Sequence, residues 1–133
     1  IGVEGGPAQT ICDAPNGRGG TWNRDGVIVF APSQPSTSLL RVSASGGEPS
    51  PVTKLQSGEI DHRLPSFLPD GKHFLYWAIG TGENSRVFAG SLDSLQPKLL
   101  LATDSAASYA LPGYLLFQEA AKRPLRRLSR WQV

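Results

Sequence analysis

The sequence predicts an all-β chain of β-propeller type, with about two and a half repeats of a four-stranded antiparallel blade. A turn-and-strand pattern recurs three times. It reads Trp22-Asn23-Arg24-Asp25-Gly26-Val27-Ile28-Val29-Phe30, then Phe67-Leu68-Pro69-Asp70-Gly71-Lys72-His73-Phe74-Leu75-Tyr76. A degenerate third copy is Tyr109-Ala110-Leu111-Pro112-Gly113-Tyr114-Leu115-Leu116-Phe117. The turn glycines Gly26, Gly71 and Gly113 lie 45 and 42 residues apart, the period of a repeat that makes one blade. The 15 Gly and 11 Pro in 133 residues favour turns and work against long helices.

The elements follow in order. Residues 8–12, after Gly5-Gly6-Pro7, read as the trailing strand of a preceding blade. The inner strand of each full repeat precedes the turn, at 19–23 and 64–68. Asp-Gly then reverses the chain, because Gly adopts positive φ without strain and Asp hydrogen-bonds nearby backbone N–H groups. Apolar second strands follow at 27–31 and 73–78, and third strands at 38–43 and 85–90. Small-residue turns, Ser45-Gly46-Gly47-Glu48-Pro49 and Asp93-Ser94-Leu95-Gln96-Pro97, lead to fourth strands at 51–55 and 98–102. The blades are therefore expected at about 5–15, 16–60, 61–103 and 104–118, making a β domain over 1–118 followed by a basic tail over 119–133. In the tail, Leu125, Leu128 and Trp131 fall three apart after Pro124, a spacing that admits a short amphipathic helix.

Composition narrows the function classes. Of 13 basic residues, Lys122, Arg123, Arg126, Arg127 and Arg130 lie in the last 14 positions, which hold no acid. The rest of the chain has 8 basic against 11 acidic groups, so the basic character belongs to the tail and no specific nucleic-acid partner is expected. No apolar run is long enough to span a membrane. The single Cys12 excludes an intrachain disulfide and reads as an inert thiol. No Gly-x-Ser-x-Gly elbow, phosphate loop or His-Glu-x-x-His motif occurs. The chain starts at Ile1 and contains no Met, so it reads as a processed or excised product whose compartment is not fixed by sequence.

The segment Phe67-Leu68-Pro69-Asp70-Gly71-Lys72-His73-Phe74-Leu75-Tyr76 resembles the TolB-type, WD40-like propeller repeat. Trp22-Asn23-Arg24-Asp25-Gly26 is similar, with Arg24 in the Pro position, and Pro112-Gly113 lacks the Asp. The resemblance extends over residues 5–118, and 46–76 look most like the sensor regions of bacterial serine/threonine kinases. It implies a propeller, an architecture that hosts binders, scaffolds and enzymes alike. A ring takes about 4–8 blades. Two and a half cannot close, so the chain is expected to be a fragment of a longer propeller or to form a homo-oligomer through its open β edges.

Aligning Trp22, Phe67 and Tyr109 sets Asn16, Asp61 and Thr103 at one position, then Gly17, His62 and Asp104, then Arg18, Arg63 and Ser105. In a propeller these positions, just before the inner strands, converge on the mouth of the central channel. Asn16, Arg18 and Arg63 are the ligand-binding candidates. Glu59, Asp61 and Asp104 have the carboxylates a Ca²⁺ ion takes. His62 beside Asp61 is the candidate catalytic pair, with His62 as general base. Solvated loop residues are the plain alternative for all of them. The sequence thus points to a binding module for a small ligand or a protein partner. Its alternative is a Ca²⁺-dependent hydrolase of esters or lactones, acyl-homoserine lactones included, with the metal polarising the carbonyl and activating water.

Overall fold

The computed structural model describes residues 5–14, 17–32, 37–118 and 126–130. Among them there is no helix, and none long and apolar enough to cross a membrane. Among the described residues eleven strands form three antiparallel sheets. The first holds β1 (Gly20–Trp22), β2 (Val27–Phe30), β3 (Leu40–Ser43) and β4 (Ser50–Pro51), in that order. The second holds β5 (Glu59–Phe67), β6 (His73–Gly80), β7 (Arg86–Ser91) and β8 (Ser94–Ala102). The third runs β9 (Ala107–Ala110), β10 (Tyr114–Gln118) and β11 (Arg126–Arg130). Within each sheet, strands adjacent in sequence pair with one another. None of the sheets closes on itself.

The second sheet lies between the other two. Val29, Ala31, Leu39 and Val52 of the first repeat pack with Phe74, Tyr76, Ala78 and Phe88 of the second sheet. Leu68, Leu75 and Val87 pack with Ala107, Leu115 and Phe117 of the third. Strand β6 (His-Phe-Leu-Tyr-Trp-Ala-Ile-Gly) is apolar on both faces because both are covered.

The turns fix how the sheets align. The first hairpin closes with the Asn23 N–H donating to Val27 O, the second with the Leu68 N–H donating to His73 O, and the third pairs Ala110 with Tyr114. The second turn is thus one residue longer, and an alignment on the turn glycines slips by one. In structural register Val29, Leu75 and Leu116 are equivalent, as are Ile28, Phe74 and Leu115. Trp22, Phe67 and Tyr109, each opposite one of the latter set, remain equivalent as the sequence alignment had them.

The turns also differ in what holds them. In the second, Asp70 Oδ1 accepts from the Lys72 and His73 N–H groups, and Oδ2 is bonded to His73 Nδ1. In the first, the acceptor is not the expected Asp25 but Asn23, whose Oδ1 takes the Asp25 and Val27 N–H groups at 3.0 and 2.8 Å. The Asn23 amide then donates to Gly71 O at 2.8 Å, and Arg24 donates to Pro69 O at 3.0 Å. The residue in the Pro position of the first repeat therefore docks one turn onto the next.

Several boundaries depart from the sequence reading, among them the last strand of the second repeat, which starts at Ser94 within the expected turn and not at 98. Residues 8–12 are not a strand. The fourth strand of the first repeat is only Ser50–Pro51, since Pro51 has no N–H for a ladder. The inner strand of the second repeat starts at Glu59 rather than 64, with bulges after Glu59 and Arg63. Residues 126–130 pair with β10 as a strand, not a helical turn.

Candidate functional site

Glu59, Asp61, His62 and Arg63 lie on β5, not in a loop as expected. Alternation divides them between the two faces of the sheet. His62 pairs with Ala78 and faces the first sheet, with its ring 4.7 Å from that of Tyr76. Asp61 and Arg63 pair with Ile79 and Trp77, on the face toward the third sheet.

His62 is fully buried, and both ring nitrogens are engaged. Nε2 lies 2.7 Å from Glu59 Oε2, and Nδ1 lies 2.8 Å from Thr53 Oγ1. The Leu39 N–H donates to the same Thr53 oxygen at 2.9 Å, and the Gln56 N–H donates to Glu59 Oε2 at 2.8 Å. A neutral ring with its proton on Nε2 satisfies every atom: it donates to Glu59, and its Nδ1 accepts the Thr53 hydroxyl proton. Burial pushes the His62 pKa below its ordinary value, although Glu59 and Asp61 oppose the shift. Burial, with the Glu59 charge adding, pushes the Tyr76 phenol far up. The expected general base therefore sits as a tie between sheets, with no ring nitrogen open to a substrate.

Asp61 is also buried, and Oδ2 meets Arg63 Nε at 2.7 Å. Its Oδ1 is buried and has no hydrogen-bond partner among the described residues. Arg63 leaves about a third of its side chain exposed (34%). Leu64, at φ 53°, follows Arg63, and its N–H donates to Arg18 O at 2.9 Å. A Cβ on Gly19 would stand 3.0 Å from Leu64 Cα, so the bare glycine allows the two inner strands to meet. The structure thus sets the Arg18 backbone against Leu64, the residue after the Asp61–Arg63 pair.

Other candidates are not gathered there. Asp104 is exposed, between β8 and β9, and Asn16 lies outside the described residues. Among the described residues no group of three or more His, Cys, Asp or Glu side chains is placed to hold a metal ion. Thr53 and Tyr76, both central to the His62 network, carried no signal in the sequence, since a lone Thr in a turn-rich stretch and a strand Tyr look ordinary. Trp77 is tied as well, donating from Nε1 to Thr103 O at 3.2 Å. A groove of about 370 Å³ lies elsewhere, lined by Ser38, Pro51, Thr53, Lys54, Leu55 and Leu95.

No protein-family model matches the chain, and a comparison with curated proteins finds no match either.

Proposed function

We propose that the chain is a propeller-type binding module that takes a small polar ligand or a segment of a partner protein at the start of its inner strands. The stacking of four-stranded meanders, with inner strands meeting at Arg18 and Leu64, supports the propeller reading. The observation that carries the site is the Asp61 carboxylate. One oxygen is held by Arg63, and the other is buried with no donor among the described residues. A buried acceptor left unmade costs about 1–3 kcal/mol, which a ligand N–H or O–H would recover. The partly exposed Arg63 guanidinium beside it suits an acceptor on the same ligand. The complementary molecule carries a donor and an acceptor side by side, as amino acids and peptide ends do.

Thermal unfolding with free amino acids, sugars and short peptides tests this, because a ligand of the native state raises Tm. A member of the panel is expected to stabilise the chain and to lose that effect in Asp61→Asn. Equal stabilisation of both proteins would place binding elsewhere.

A further inference from the structure

Two internal interfaces of this chain are built from equivalent positions, and the two outer faces carry the same positions uncovered. On the face each sheet turns toward the next, Val29 and Leu75 are 0% and 1% exposed. Their equivalent in the third sheet, Leu116, is 38% exposed. On the opposite face, Phe67 and Tyr109 pack into the first and second inter-sheet cores. Their equivalent in the first sheet, Trp22, is 55% exposed, opposite the half-buried Ile28. The third sheet thus offers the position that receives a following sheet. The first offers the aromatic that a following sheet brings.

We infer that a second copy of this chain supplies the missing partner, with the third sheet of one copy packing on the first sheet of the other. Each contact joins two different faces, and two of them related by a two-fold axis close a pair. Two copies of three sheets give six, within the range of about 4–8 blades that close a ring, whereas three copies give nine. The surface is a face, carrying apolar side chains, not the strand edges that the open ends of the sheets suggest. Exposed large apolar side chains at equivalents of core positions are what an interface leaves on an isolated subunit. The inference rests on the propeller-type reading.

Sedimentation velocity on the full chain at about 50 μM, a concentration where micromolar association is populated, is the test. The expected species has twice the 14.2 kDa chain mass. Leu116→Arg and Trp22→Arg should each give monomers with unchanged far-ultraviolet circular dichroism. Mixing the two variants should restore part of the dimer, since one intact contact forms between an unaltered third sheet and an unaltered first sheet. A monomeric wild type overturns the inference whatever the variants do, and so does a dimer that neither substitution disturbs. The proposed function fails separately. A monomer that still binds through Asp61 overturns only the pairing, and a dimer without binding overturns only the site.

Discussion

Thr53 Oγ1 lies 2.8 Å from His62 Nδ1, and this contact ties the outer end of the first repeat to the inner strand of the second. The tie belongs to a buried chain running from the Leu39 N–H through Thr53 and His62 to Glu59. Thr53→Val keeps the shape and removes the oxygen, leaving both the Leu39 N–H and His62 Nδ1 without that partner. A loss of about 1–3 kcal/mol is expected, read as a lower urea midpoint with an unchanged slope. Thr53→Ser should retain most of the stability.

The same histidine sets a pH dependence. Its folded pKa lies below the unfolded value of about 6.5 because burial penalises the charged ring. Between those two values the unfolded chain binds the proton and the folded chain does not, so stability falls as pH drops through about 6.5. Urea midpoints should decline from about pH 7.5 to pH 5.5, and His62→Gln should flatten the decline. Asp70 acts in a different range. Its slight burial raises its pKa, but hydrogen bonds from His73 and Lys72 outweigh that and hold it below the ordinary value. Its contribution is therefore present above the unfolded value near 3.8 and is lost as pH falls through the folded one.

Asn23 has two separable duties. Its oxygen closes the first turn, and its amide nitrogen reaches the carbonyl of Gly71 on the next one. Asn23→Asp retains the turn acceptor and loses the bridge, whereas Asn23→Ala loses both. The alanine variant should be the less stable of the two, by about 1 kcal/mol. Chemical denaturation of the pair checks the order.

Gly90 is needed for packing, not for its backbone angle. A Cβ there would stand 2.6 Å from the Phe74 ring and 3.2 Å from that of Tyr76. Both rings belong to the core between the first two sheets. Gly90→Ala must displace them and should cost about 1–3 kcal/mol. The loss should appear in the near-ultraviolet signal as well as in Tm.

The fold was legible where local chemistry decides it. Asp-Gly after an aromatic residue specified two turns, and apolar runs specified β2, β6 and β10. The antiparallel order followed from short connections. What escaped was set by tertiary contact. The strand at 59–63 looked like a charged loop because its charged and polar side chains are paired with near neighbours, Arg63 on Asp61 and Glu59 with Thr53 on His62, only in the folded geometry. The first turn looked like an Asp turn, yet Asn23 closes it. The extra residue in the second turn shifted the repeat alignment by one, and only the cross-strand pairs reveal it. Asp61 and Arg63 were legible as charged candidates near an inner strand, and they lie on it as an ion pair. Thr53 was not, since its role depends on a histidine nine residues on and one sheet away.

The central claim is that ligands meet this chain at the inner-strand ends around Asp61. Amide NMR of the isotopically labelled chain, titrated with free amino acids and short peptides, tests it most directly. Saturable shifts concentrated at Arg18, Asp61, Arg63 and Leu64 are expected, with their loss in Asp61→Asn. Saturable shifts confined to the groove at Lys54, Leu55 and Leu95, or none across the panel, would contradict it.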